Sequence, residues 1–130
     1  MNDLYGVDIL APGAAVVTLQ GASRAFYGFT AFPIAEAPRG AGLYVFARSP
    51  VDPRTRRIAS WTPLYLGESD DLPLATGAQN TWRSHAERQG ATHVLVHFCN
   101  RGEVARQAIA EDLLAARQPP LNALERLAVA

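Results

Sequence analysis

Short runs of β-branched and aromatic residues alternate in this chain with alanine-rich stretches of helical spacing. Residues 15–19 and 25–29 read as two strands, with Gln20-Gly21-Ala22-Ser23 as the turn between them. Leu43–Arg48 and Thr62–Gly67 read as an antiparallel hairpin whose long tip contains Pro50 and Pro53. Asp70-Asp71 opens a helix that runs to about Arg88, irregular near Pro73 and Gly77 and ended by Gly90. Thr92–Phe98 is a further strand, with Val94, Val96 and Phe98 on one face and His93, Leu95 and His97 on the other. Gly102–Arg117 is the clearest helix, stopped by Pro119-Pro120, and a short last helix is expected over Ala123–Val129. The expected fold is α/β (α+β): a small three-stranded antiparallel sheet packed with helices over residues 40–130. Residues 1–39 form a β-rich extension in front of it, read as a hairpin.

A chain of 130 residues suits one domain with an ordinary core. No apolar run is long enough to span a bilayer, and the start Met1-Asn2-Asp3-Leu4 lacks the basic residues of a secretory signal. Cys99 is the only cysteine, so no internal disulfide forms, and a reducing cytoplasm fits. Net charge is zero, with 12 basic and 12 acidic residues, and every basic residue is arginine. Nucleic-acid binding therefore needs a local patch. Arg39, Arg48, Arg54, Arg56 and Arg57 against Asp52 give +4 over residues 39–57. Within it, Arg54, Arg56 and Arg57 are the candidate phosphate contacts.

Four pieces carry a family resemblance: Gly42-Leu43-Tyr44, Tyr65-Leu66-Gly67, Glu111 in the long helix, and Pro119-Pro120-Leu121-Asn122. In this order they resemble the GIY-YIG nuclease family, over roughly residues 40–122. The resemblance implies a GIY-YIG-like fold and a metal-dependent endonuclease hydrolysing DNA phosphodiester bonds. The alternative is a catalytically inactive module of the same fold that binds nucleic acid or a protein partner.

Carried over residue by residue, the resemblance makes Tyr44 the water-activating group and Glu111 the ligand of Mg²⁺ or Mn²⁺. Tyr65 and Asn122 support them, and His85 is the neighbour that would make Tyr44 basic. A single carboxylate with waters and phosphate suits Mg²⁺ or Mn²⁺. Glu111 falls roughly 20° around the helix from Val104, at the edge of its apolar face; Asp112 is its rival. Asn122 also suits the cap of the last helix. The family's arginine position is Ala75, and losing such a donor typically costs about 100- to 1000-fold in rate. Arg83 is the better candidate replacement, and Arg54, Arg56 or Arg57 reaching in from the hairpin loop is the other. The four matched residues are expected to converge on one concave surface. A zinc site from the histidines and Cys99 is not expected, because His93 and His97 lie about 13 Å apart along a strand.

Overall fold

The computed structural model describes residues 16–36, 38–49 and 61–129. Its elements are β1 (Val16–Gln20), β2 (Phe26–Pro33), β3 (Gly42–Arg48), β4 (Thr62–Ser69), α1 (Leu72–Ala75), α2 (Thr81–Arg88), β5 (His93–Phe98), α3 (Glu103–Ala116) and α4 (Pro120–Val129). The fold is mixed α+β, as expected, but the sheet has five strands where the sequence reading had three. All pairings are antiparallel, in the order β1-β2-β5-β3-β4. The difference lies in the extension. β2 pairs with β5, Thr30 opposite Val96 and Phe32 opposite Val94, so the N-terminal hairpin continues the sheet.

Each face of the sheet has its own core. On one face Phe29, Leu43, Val45, Leu66 and Leu95 pack against Ile109 and Leu113 of α3. On the other, Tyr44, Phe46, Tyr65, Val94 and Val96 pack against Leu72, Ala86 and Leu121, from α1, α2 and α4. The division follows strand alternation, with one break. Phe46 pairs with Tyr65 and Ala47 with Pro63, so Leu64 is an extra residue. This bulge puts Leu64 in the same core as Tyr65, where simple alternation sets them on opposite faces.

The helix expected from Asp70 to Arg88 is two pieces. Asp71 caps α1 by accepting from the Leu74 N–H at 3.3 Å, and Asn80 caps α2, accepting from Trp82 and Arg83. α4 starts at Pro120, earlier than expected, with proline at a first-turn position where no N–H is needed.

The N-terminal hairpin is fastened to α3 by Asp112. The carboxylate of Asp112 accepts from the Ser23 hydroxyl at 2.6 Å, the Tyr27 hydroxyl at 2.8 Å and the Ser23 N–H at 2.8 Å. Gly21 lies so close that a Cβ there would overlap the Asp112 carboxylate. These bonds, from the Ser23 side chain first and then from Tyr27, hold the Asp112 carboxyl below its ordinary range. A depressed carboxyl adds stability that is present above its unfolded value near ~3.9 and lost as pH falls through the folded value. Asp112→Asn is therefore expected to flatten the fall in stability between about pH 5 and lower values. Urea unfolding at a series of pH values checks it; identical profiles for both proteins would refute the fastening.

Candidate active site

Tyr44 lies mid-strand in β3, paired with Gly67 on β4 and Val96 on β5. The glycine explains the tripeptide. A Cβ on Gly67 would overlap the Tyr44 ring and hydroxyl, so only glycine lets the ring lie across β4. Gly42 has a similar role against backbone: a Cβ there would overlap the carbonyl oxygen of His97 on β5.

The Tyr44 and Tyr65 ring centroids are 6.3 Å apart, and both residues are buried. The Tyr44 hydroxyl accepts from Asn80 Nδ2 at 3.3 Å, and the same amide donates to the Ala75 carbonyl at 2.7 Å. Asn80 thus bridges Tyr44 to the position where the resemblance would have an arginine. The Tyr65 hydroxyl donates to the Glu125 carboxylate, at 3.0 and 3.2 Å from its two oxygens. Trp82 stacks on Tyr65, centroids 5.5 Å apart and planes within 6°.

Asn122 closes the group. Its Oδ1 accepts from the Leu66 N–H at 2.8 Å and its Nδ2 donates to the Leu66 carbonyl at 2.9 Å. β4 is an edge strand, and this amide pairs one residue of that edge as a neighbouring strand would. Asn122 does not cap the last helix, as the sequence reading allowed. It lies inside α4, and its side chain is buried against the sheet.

Glu111 does not join this group. α3 turns Arg106, Ile109 and Leu113 inward, and those residues pack on the face opposite the tyrosines. Two residues from Ile109, Glu111 is rotated by about 200°, and it is exposed. The expectation of four converging residues is corrected: Tyr44, Tyr65 and Asn122 share a face, and Glu111 lies beyond the other one. Val104 misled the reading. It is apolar yet 83% exposed, while Arg106 turns inward and its Nε donates to Glu68 of β4 at 2.8 Å. Asp112, the rival carboxylate, is taken up by the β1–β2 turn.

Arg83 and His85 are in α2 but neither meets Tyr44 through a hydrogen bond. Arg83 Nη1 donates to the Thr76 carbonyl at 3.0 Å and Nη2 pairs with Glu87 at 3.6 Å, while its Nε is buried without a hydrogen-bond partner. His85 Nδ1 lies 2.7 Å from Arg88 Nη2, and its ring tilts on Trp82. Asn80 takes the place proposed for His85. Arg54, Arg56 and Arg57 lie outside the described residues. Asn80 and Glu125 escaped the sequence reading. Asn80 carried the N-cap signal before a helix, and Glu125 follows Leu121 at helical spacing once α4 is phased from Pro120.

The tyrosines are held as phenols. Burial pushes the Tyr44 hydroxyl up from its ordinary value, and Glu125 and Glu68 add to this against the Asn80 hydrogen bond. Burial also raises Tyr65, followed by Tyr44 and Glu125. A general base works best near the operating pH, so both hydroxyls are suited to hydrogen bonding and poorly suited to taking a proton. Glu111, the ligand of Mg²⁺ or Mn²⁺ that the resemblance implies, lies across the sheet from the tyrosines, so a metal held by it would not meet Tyr44 or Tyr65. Among the described residues, no group of three His, Cys, Asp or Glu side chains is arranged to hold a metal ion.

No protein-family model, curated protein or solved structure matches this chain. No helix among the described residues is long and apolar enough to cross a membrane.

Proposed function

We propose that this chain is a module on a GIY-YIG-like scaffold that binds nucleic acid without hydrolysing it. The observation that carries the reading is the separation of Glu111 from Tyr44 and Tyr65 by the sheet. Ala75 in the arginine position and the raised phenols point the same way. The partner is inferred from charge: residues 39–57 of the sequence hold five arginines against one aspartate. Arg39 is exposed, and Arg48 is spent on the Gln89 carbonyl at 2.8 Å.

Each phosphate contact releases counterions, so affinity for a DNA duplex is expected to fall steeply with salt. Replacing Arg54, Arg56 and Arg57 together by alanine is expected to reduce the slope of log affinity against log salt by about 2 to 3 units. Fluorescence anisotropy over a salt series measures it. An unchanged slope and affinity would remove the hairpin from the interface, and a wild type that binds no nucleic acid would leave a protein partner for this module.

One observation favours a second reading, a DNA endonuclease in which Glu125 supplies the carboxylate: it is the acid that meets Tyr65. Cleavage that survives Glu111→Ala and is lost in Glu125→Gln would support that reading over the first.

A further inference from the structure

α3 packs on the sheet face of Val17, Val45 and Leu66 and ends at Ala116. Past its last turn a cavity of about 410 Å³ opens between β1 and the β3–β4 hairpin, on the face opposite the tyrosines. Its floor is core: Val17, Val45, Leu66 and Leu113 are all buried. Trp61 forms part of the wall, its ring edge-to-face with His93 at 5.1 Å. Thr18, Gln20 and Arg117 are the exposed polar residues that line it, and Arg117 is the charged one. Among the described residues no acidic side chain lines the cavity, and no carboxylate pairs with Arg117.

We propose that this cavity binds a small amphipathic carboxylate, its apolar body on the Val45–Leu66–Leu113 floor and its acid group at Arg117. The volume is in the range of small-molecule sites, about 300–1,000 Å³. An apolar body gains by leaving water for a floor that is already formed. Arg117 selects the head group. The C-terminal end of α3 carries about half a negative charge at this mouth, and the full positive charge of the Arg117 guanidinium outweighs it, attracting an acid and repelling an amine. Because the cavity lies across the sheet from the tyrosines, the inference is independent of the module reading.

Three probes of one skeleton test it: phenylbutyrate, phenylbutanamide and phenylbutylamine, titrated into the full chain and followed by two-dimensional amide NMR. Phenylbutyrate is expected to shift Leu19, Leu113, Arg117 and the Trp61 indole. It should bind about three- to fivefold more tightly than the amide, the scale of one exposed ion pair, with the amine weakest. Arg117→Gln is expected to abolish the advantage of the acid over the amide, leaving the acid no tighter than the amide. Ala116→Trp, at an exposed position on the rim, should block all three while leaving the rest of the spectrum folded. Shifts scattered elsewhere, equal binding of acid and amide to the wild type, or undiminished binding to folded Ala116→Trp would overturn the proposal. So would the absence of any shift at millimolar probe, or shifts at these residues on raising protein concentration alone, which would assign the cavity to a second copy of the chain.

Discussion

Gly42→Ala is expected to destabilise the fold by about 3 kcal/mol, the upper end for overpacking a closed site. Gly42 opens β3 and pairs with Phe98, and the new methyl would overlap the His97 carbonyl of the adjacent strand. Backbone in a central strand cannot move aside as the end of a long side chain can. The loss should therefore appear as a lower urea midpoint at unchanged slope. Gly67→Ala makes the comparison: its methyl meets the Tyr44 side chain, which can turn at some cost in packing. A Gly42→Ala protein as stable as the wild type would mean that β3 and β5 are not paired in this register.

Asn122→Ala is expected to cost about 2 to 4 kcal/mol. The amide satisfies both the N–H and the carbonyl of Leu66, and removing it leaves two backbone groups unpaired near the core at about 1–3 kcal/mol each. The expected mechanism is local. Backbone amide exchange at Leu66 should accelerate by more than at Leu95, which is held between two strands. A change confined to nucleic-acid binding, with stability and exchange untouched, would contradict this edge-pairing role.

Much of the element order was legible because its signals are local. Aromatic and β-branched runs gave the strands, and Pro119-Pro120 gave the end of α3. The pairing of β2 with β5 was not legible, since nothing in residues 26–33 names a partner some sixty positions away. The phase of α3 was misread for a different reason. Hydrophobicity marked Val104 as inward, but at the first turn of the helix the inward place goes to Arg106, whose charge is matched by Glu68. That rotation decides the fate of Glu111. The tyrosine tripeptides were legible as a motif, while their physical meaning needed the register: Gly67 lies opposite Tyr44 because the ring needs the space. Glu125 stayed hidden because the last helix starts at Pro120, three residues before the expected start.

Hydrolysis as the resemblance implies it requires Glu111 and the tyrosines to act together. The most direct measurement is cleavage of single- and double-stranded DNA by the full chain with Mg²⁺ or Mn²⁺, run beside Ala75→Arg and Glu111→Ala. No cleavage is expected from the wild type and none gained by Ala75→Arg, because a restored guanidinium cannot bring the carboxylate across the sheet. Metal-dependent cleavage by the wild type that disappears in folded Glu111→Ala would contradict that expectation.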